Sequence, residues 1–345
     1  MRRTFADLGG GGRATGLVPL PSARRPAIRL WRMALGLGMA ALGRPGYITL
    51  GHAADLERDY DVSAMERRCH AVLDAAWAGG VRWFDAARSY GQAEKFLADW
   101  LEARAIAPGA AMVSSKWGYT YTAGWQVLAA RHEIKDHSLA ALERQLLESH
   151  ALLGRHLSLY QVHSATLESG VLDDARLLAR LGELRDEGLS VGLTLSGARQ
   201  RETLERALAV RVSGRPLWAA VQATWNLLER SVEPALIAAK GEGLRVIVKE
   251  ALANGRLTSR SKEPRLAPLA QYAERLRVGI DAIALAAALS QPFADVVLSG
   301  ATTPSQLGEN LRASAVDGAR AARDWAGIVE PAERYWSERA RLPWN

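Results

Sequence analysis

The chain reads Gly80-Val81-Arg82-Trp83-Phe84-Asp85-Ala86-Ala87-Arg88-Ser89-Tyr90, an apolar run that stops at an aspartate and is followed, five residues later, by a tyrosine. Two later apolar runs also stop at reactive side chains: residues 111–115 precede Lys116, and residues 157–162 precede His163. Because the strands of a parallel barrel bring their C-terminal ends to one mouth, we expect these four side chains to meet there.

Short apolar runs of this kind recur along the chain and alternate with amphipathic stretches. The eight strand candidates are residues 33–38, 81–85, 111–116, 157–163, 191–196, 218–222, 244–249 and 295–299. Several are continuously apolar, as expected for strands that are covered on both faces. Eight strand–helix repeats predict an α/β fold with a single (β/α)8 TIM barrel, and an open doubly wound sheet is the alternative.

Helix candidates lie between these strands and suggest the domain organisation. They are residues 63–79, 92–105, 136–153 (or starting at 137), 172–187, 201–210, 233–240, 281–289 and 304–313. Ser63 is expected to cap the first helix, with Glu66 completing a capping box. Residues 1–26, rich in Gly, Arg and Pro, are predicted to be a disordered leader. Residues 27–345 are predicted to form the barrel with a C-terminal tail, whose helix at about 331–341 should pack on the barrel exterior or rim.

Composition narrows the functional classes. The 345 residues are 48% hydrophobic and carry a formal net charge of +7, of which residues 1–32 contribute seven Arg against one acid. The remainder is nearly neutral, so we predict no nucleic-acid partner. No apolar run reaches the roughly 18 residues of a membrane span, and the basic start lacks the apolar core of a secretory signal, so we expect a cytoplasmic protein without membrane association.

The sequence also argues against metal and disulfide chemistry. Cys69 is the single cysteine and lies in a helical stretch, where a small core residue is expected. His132 and His137 are five positions apart, whereas two zinc ligands on one helix face are four apart, so no metal site is predicted. Residues 188–192 spell Gly-x-Ser-x-Gly, but they follow a helix and precede a strand, which is the reverse of a nucleophile elbow.

A phenol that lies beside an ammonium, a carboxylate and an imidazole can donate its proton to a bound substrate. An ammonium within about 4 Å lowers the pKa of a tyrosine by up to ~3 units, and we expect Lys116 to do this for Tyr90. Asp85 should pair with Lys116 and reduce that shift, while His163 should hydrogen-bond a substrate oxygen. Such a site stabilises a developing oxyanion and protonates it, which suits carbonyl reduction with hydride supplied from elsewhere.

At these residues the chain resembles the aldo-keto reductase superfamily, over about residues 30–315. The similarity lies in the segments 80–87 and 89–94, in Ser115-Lys116-Trp117-Gly118 and in Leu159-Tyr160-Gln161-Val162-His163. The resemblance implies a catalytic tetrad of Asp85, Tyr90, Lys116 and His163, with Tyr90 as the general acid. It also implies a (β/α)8 barrel that binds NAD(P)H in an extended form without a Rossmann domain.

The resemblance further implies a set of cofactor contacts. They are Gly38, Met39, Asp85, Ser196, Gly197, Gln222, Lys249, Ser299, Gly300, Gln306, Glu309 and Asn310. Gly197 stands where the family usually has Asn, and Lys249 stands where it usually has an aromatic side chain stacked on the nicotinamide. Gly300 and Gln306 occupy positions that are often basic in NADP-preferring members. The preference for NAD or NADP therefore stays undecided, with Arg312 as a candidate substitute cation.

These observations predict an NAD(P)-dependent oxidoreductase that interconverts a small carbonyl or sugar substrate and an alcohol. Aromatic candidates for the substrate pocket wall are Tyr47, Trp117, Tyr119, Tyr121 and Trp125. Two alternatives stay open: a Schiff-base lyase or aldolase that uses Lys116 as the nucleophile, and a catalytically idle nicotinamide-binding regulatory subunit. The substrate, the direction of reaction and the oligomeric state are not specified by the sequence.

Overall fold

The computed structural model of the protein describes residues 34–345, so the predicted leader lies outside the described residues. The strands are β1 (Ala34–Gly38), β2 (Trp83–Asp85), β3 (Met112–Trp117), β4 (Tyr119–Tyr121), β5 (Glu133–Lys135), β6 (Leu157–Ala165), β7 (Ser190–Leu195), β8 (Arg211–Val212), β9 (Arg215–Pro216), β10 (Ala220–Thr224), β11 (Arg245–Lys249) and β12 (Val296–Ser299). Eight of them close a parallel barrel in the order β1-β2-β3-β6-β7-β10-β11-β12. The predicted (β/α)8 barrel is confirmed, and each of its strands overlaps a strand candidate.

Helices surround the barrel. They are α1 (His52–Asp55), α2 (Val62–Ala78), α3 (Ala93–Ala103), α4 (Leu139–Leu153), α5 (Ala175–Asp186), α6 (Gln200–Leu208), α7 (Glu233–Gly241), α8 (Ala267–Leu276), α9 (Ile280–Leu289), α10 (Pro304–Leu311), α11 (Gly318–Asp324) and α12 (Ala332–Ala340). Within this described part, no helix is long and apolar enough to cross a membrane.

Some local predictions were wrong. Ser63 does not cap α2; Asp61 does, because its carboxylate accepts a hydrogen bond from the Ala64 amide at 2.9 Å. Helix α8 is not among the helix candidates, although it is amphipathic and buries Leu269 and Ala273. The hairpins β4–β5 and β8–β9 were also missed, since their strands have two or three residues each.

The barrel interior and its outer surface are both apolar at the N-terminal end of the strands. Side chains of successive residues on a strand point to opposite faces, so every second residue of each barrel strand faces inward. The inward apolar layer consists of Trp83, Met112, Leu159, Ala220, Ile247, Val296 and Leu298, and the outward residues between them pack against the helices. The inward-facing residues that come after this layer along each strand lie closer to the mouth, and there polar side chains replace the apolar ones.

Three segments frame the mouth of the barrel. The hairpin β4–β5 follows β3, a loop with short 3-10 turns follows β11, and the C-terminal segment closes the third side. The last segment is tied down at two points: Arg339 of α12 hydrogen-bonds Glu250 just after β11, and the backbone of Asn345 pairs with that of Tyr47. The predicted C-terminal helix therefore packs on the barrel rim.

Candidate active site

A buried ion pair lies just beneath the mouth. The Lys116 ammonium donates to Asp85 Oδ2 at 2.5 Å and to the backbone oxygen of Ala86 at 2.8 Å. The other oxygen of Asp85 accepts from Ser114 Oγ at 2.6 Å and from Gln161 Nε2 at 3.2 Å. Both partners of the pair are almost inaccessible to solvent. Burial lowers the pKa of Lys116, while the neighbouring Asp85 carboxylate acts in the opposite direction.

The position of these groups follows from strand alternation. Asp85 comes two residues after the inward-facing Trp83, and Lys116 comes two residues after the inward-facing Ser114. Gln161 likewise precedes His163 by two residues on β6. The sequence analysis missed Ser114 and Gln161 as partners of Asp85. The signal was available, because a polar residue two positions before a predicted site residue on the same strand must share its face.

Tyr90 and His163 form the second pair of the site. The Tyr90 hydroxyl lies 3.4 Å from His163 Nε2, and Ser89 Oγ lies 3.5 Å from His163 Nδ1. Burial, and then the nearby Asp85 carboxylate, hold the pKa of Tyr90 well above its ordinary value. Burial and the Lys116 ammonium hold the pKa of His163 well below its ordinary value. Both groups are therefore neutral near pH 7: the phenol keeps its proton and the imidazole stays unprotonated.

One electrostatic expectation is corrected. The sequence analysis expected Lys116 to lower the pKa of Tyr90, whereas this pKa is raised. The Lys116 ammonium lies 4.7 Å from the centre of the Tyr90 ring and does not hydrogen-bond the Tyr90 hydroxyl. Because Asp85 neutralises the field of Lys116 and burial disfavours any phenolate, desolvation decides the direction.

A cavity of about 650 Å³ opens above these four residues. Of the expected cofactor contacts, ten line it: Gly38, Asp85, Ser196, Gln222, Lys249, Ser299, Gly300, Gln306, Glu309 and Asn310. Met39 and Gly197 do not. The Met39 side chain is fully buried in the hydrophobic core, and Gly197, just beyond β7, has a left-handed backbone conformation with a φ of 92°. Asp85, Tyr90 and His163 line the cavity floor, and Lys116 lies directly behind them.

The predicted aromatic wall is only partly present. Tyr47 and Tyr119 line the cavity, and the Tyr119 ring centre lies 5.0 Å from that of His163. Trp117 and Trp125 do not line it, which corrects their assignment to the substrate pocket. Trp117 follows the inward-facing Lys116 and so points outward into the core, while Trp125 donates to the backbone oxygen of Tyr60 at 2.6 Å.

Several cavity residues were missed by the sequence analysis. Arg44 donates to Glu133 Oε2 at 2.9 Å, and its guanidinium lies 5.2 Å from the Tyr90 ring centre. Arg339 and Glu250 form a second charged pair, described above, and Trp344 completes the wall beside Arg44. These residues come from the β1 loop, the β4–β5 hairpin and the C-terminal segment. No local pattern connects them, since only the tertiary fold brings these segments together.

At the far end of the cavity, a carboxylate and a guanidinium face each other. Arg260 forms a two-point ion pair with Asp55, and Thr302 Oγ1 donates to the same carboxylate at 2.9 Å. Gln306 accepts from the Thr302 amide at 2.9 Å. Arg312, the expected substitute cation, pairs instead with Glu309 at 3.0 Å and does not line the cavity.

The two histidines considered for zinc have other roles in the structure. His132 stacks on Trp344 with ring centres 3.8 Å apart, and His137 Nε2 lies 2.9 Å from the backbone oxygen of His163. Across residues 34–345, no group of three or more His, Cys, Asp or Glu side chains is arranged to hold a metal ion.

Comparison with known proteins places the chain in a family. The sequence model of the Aldo/keto reductase family matches residues 34–321. The fold is similar to that of the glycerol dehydrogenase AKR11B4 from Gluconobacter oxydans, with a TM-score of 0.62, 21% identity, and coverage of 89% of this chain and 95% of that one. It is also similar to the holo form of the aldo-keto reductase AKR11C1 from Bacillus halodurans, with a TM-score of 0.61, 20% identity, and coverage of 87% and 94%. None of the curated proteins compared matches this chain. These structural likenesses show the fold, and the family match over most of the chain shows that it belongs to the aldo/keto reductase family.

Proposed function

We propose that this protein reduces a small carbonyl compound to an alcohol with NAD(P)H, and that Tyr90 exchanges the proton with the substrate oxygen. The observation that carries the proposal is the buried Asp85–Lys116 pair beside the neutral Tyr90 and His163, on the floor of a cavity. A cytoplasmic location and an aldehyde, ketone or sugar as the substrate are predictions from the sequence.

Two unpartnered polar atoms support the fit of a nicotinamide dinucleotide, which is the cofactor of the family. Gln222 Nε2 and Asn254 Oδ1 are buried, line the cavity and have no hydrogen-bond partner among the described residues. A buried amide without a partner is costly, so these atoms fit a polar ligand such as a carboxamide. Gln222, with Ser196 on the neighbouring β7 end, would hold the carboxamide, and the reduced nicotinamide supplies the hydride when bound.

In the proposed reaction, the protein residues handle the proton and the charge. Tyr90 and His163 hydrogen-bond the substrate carbonyl oxygen, and Tyr90 donates its proton as negative charge develops there. The raised pKa of Tyr90 keeps that proton available at neutral pH. Two cations lie beside the phenolate that remains: the Lys116 ammonium is 4.7 Å from the ring centre and the Arg44 guanidinium is 5.2 Å from it. Burial raises the pKa of Tyr90, and the charge of Arg44 acts against burial by lowering this pKa. Asp85 fixes the direction of the Lys116 ammonium by its hydrogen bond.

The Schiff-base alternative is disfavoured by the contacts of Lys116. A nucleophilic lysine needs a free amine, whereas the Lys116 ammonium donates to both Asp85 and the Ala86 backbone oxygen. The alternative predicts trapping of a carbonyl substrate on Lys116 by borohydride, and our proposal predicts none. The idle-subunit alternative predicts cofactor binding without turnover of any carbonyl or sugar.

The decisive experiment is a carbonyl and sugar panel run with NADH and NADPH separately, on the wild type and on Tyr90→Phe. We expect turnover by the wild type and a loss of about 10²- to 10⁴-fold in Tyr90→Phe, because the general acid is gone. Cofactor affinity, measured by fluorescence titration, should be nearly unchanged. Tyr272→Phe is the matched control, since this tyrosine lies on α8 against Trp325 and away from the cavity. Equal turnover in the two variants would falsify the assignment.

A further inference from the structure

Lys249 differs from the other cations of the cavity. It faces inward two residues after Ile247 on β11 and lines the cavity, with 16% of its side chain exposed. Its ammonium makes no hydrogen bond with any residue that the structure describes. The nearest carboxylate oxygen, Glu250 Oε1, is 4.0 Å away. That carboxylate is already bound by Arg339 through both Nε and Nη2.

The remaining cavity cations each have a carboxylate partner within hydrogen-bond distance. Arg44 binds Glu133, Arg260 binds Asp55 and Arg339 binds Glu250. Lys116, behind the floor, binds Asp85. Among residues 34–345, Lys249 is therefore the cavity cation without a carboxylate at hydrogen-bond distance. The nearby Glu250 carboxylate is shared with Arg339, so one positive charge of these three groups stays unbalanced.

The register of the barrel places Lys249 next to the proposed carboxamide site. Strand β10 pairs with β11, with Gln222 opposite Ile247 and Thr224 opposite Lys249. Gln222 and Lys249 therefore lie on one wall, with Lys249 closer to the mouth by two residues. A carboxamide held by the unpartnered Gln222 Nε2 brings its pyridine ring against this wall.

We infer that Lys249 makes the site discriminate between the two redox forms of the cofactor, favouring the reduced over the oxidised form. The inference rests on the proposed function. The oxidised nicotinamide ring carries a positive charge and the reduced ring carries none. An ammonium without a hydrogen-bonded counterion, in a site largely shielded from water, repels the charged oxidised ring. It has little electrostatic effect on the uncharged reduced ring.

The charge of Lys249 should itself depend on pH. Burial lowers the pKa of Lys249 to about 8. Lys249 interacts electrostatically with five charged or titratable groups: Glu250, Arg339, Lys116, Asp85 and His163. Well below pH 8 the ammonium is present and discrimination is full. As the pH rises through about 8 the amine becomes neutral, and the preference for the reduced form declines.

The test measures the dissociation constants of NADH and NAD⁺, by tryptophan fluorescence or calorimetry, on the purified full-length protein. If NADPH and NADP⁺ bind better, that pair is used. We expect the ratio of the oxidised to the reduced constant to fall about tenfold or more in Lys249→Met, chiefly through tighter binding of the oxidised form. Lys95→Met is the matched control, because Lys95 lies on α3 outside the cavity and pairs with Asp99. ADP-ribose, which lacks the nicotinamide, should bind the wild type and Lys249→Met equally.

An unchanged ratio in Lys249→Met overturns the inference and leaves the proposed function intact. Failure of the wild type to bind either redox form overturns the proposed function instead. If Lys249→Met does not fold, the wild type alone still tests the idea. Its ratio should be larger at a pH well below 8 than at a pH well above it, and a pH-independent ratio contradicts the inference.

Discussion

Asp85 organises the electrostatics of the site, because one carboxylate receives three side-chain donors. Lys116 binds one of its oxygens, and Ser114 and Gln161 bind the other. Ser114 and Lys116 lie on the inward face of the neighbouring strand β3, and Gln161 lies on the inward face of β6, the next strand around the barrel. The carboxylate therefore offsets the desolvation of the buried ammonium and sets the position from which Lys116 acts on Tyr90.

Replacing Asp85 with Asn should destabilise the folded protein and also reduce its turnover. The variant leaves the buried Lys116 ammonium without a counterion, at a cost of about 3–5 kcal/mol in the free energy of unfolding. Urea unfolding measures this cost. Asp99→Asn is the control, because Asp99 pairs with Lys95 on an exposed helix face, where a pair contributes at most about 1 kcal/mol. Equal losses in the two variants would mean that the buried pair has no special energetic role.

Residue positions were easier to predict than residue environments. Asp85, Lys116 and His163 were predicted as site residues because each ends an apolar run, and Gln222 because of the resemblance to the aldo-keto reductases. The direction of the Tyr90 pKa shift was not predictable, since it depends on how completely the folded protein excludes water. Trp117 was misassigned although strand alternation from Lys116 already points it outward.

At the scale of elements, one ion pair fastens α12 to the end of β11. Glu250 accepts from Arg339 Nε at 2.9 Å and from Thr224 Oγ1 at 3.1 Å. Burial alone would raise the pKa of Glu250, but the positive charges of Arg339 and Lys249 outweigh it and lower this pKa to about 2. The pair thus holds the C-terminal segment against the cavity.

This pair predicts an acid-dependent contribution to stability. The folded-state pKa of Glu250 is depressed, so the contribution is fully present above the ordinary value of about 4.3 and is lost as the pH falls toward about 2. Arg339→Met should lower the free energy of unfolding by about 3 kcal/mol near neutral pH and weaken this acid dependence. Arg334→Met, on the same helix with an exposed pair to Glu338, should change neither. Parallel pH–stability curves for the wild type and Arg339→Met would contradict this account.

A second ion pair links two loops across the cavity. Asp55 of α1 follows β1, and Arg260 belongs to the loop after β11; Arg260 also donates to the Leu50 backbone oxygen at 2.7 Å. Because Asp55 and Arg260 both line the cavity, we expect a dinucleotide bound there to contact this link. The link is therefore expected to slow cofactor release.

Asp55→Asn should raise the dissociation rate of the cofactor by about tenfold, which corresponds to the loss of one charge-assisted hydrogen bond. Stopped-flow fluorescence, with NAD(P)H chased by excess ADP-ribose, measures this rate. Asp59→Asn is the control, since Asp59 lies four residues later and pairs with Arg68 outside the cavity. If the cofactor dissociates from Asp55→Asn at the same rate as from the control, the Asp55–Arg260 link does not slow cofactor release.

Elements with strong periodicity were predicted well, and short ones were not. The eight barrel strands and the helices that follow them were found within a few residues, because buried parallel strands are continuously apolar. Helix α8 was missed, and so was the hairpin β4–β5, which frames the mouth. Their sequences are fixed by contacts with other loops, which no local pattern records.

At the scale of the whole molecule, barrel closure explains why distant residues form one site. Closing β1 against both β2 and β12 brings the segment after β12, which contains Gly300 and Gln306, to the same mouth as Asp85. One cavity therefore runs from the four-residue floor to the Asp55–Arg260 link. This cavity is where we propose that the dinucleotide and a small carbonyl compound bind.

The most direct test follows one atom through this cavity. A carbonyl substrate found in the panel is reduced by the wild type with NAD(P)H deuterated at C4 on one face, and the product is analysed by mass spectrometry and NMR. The account predicts deuterium on the carbinol carbon, from one face of the nicotinamide only, with product formation lost in Tyr90→Phe. Product that forms without deuterium from either face, or forms equally fast in Tyr90→Phe, would contradict it.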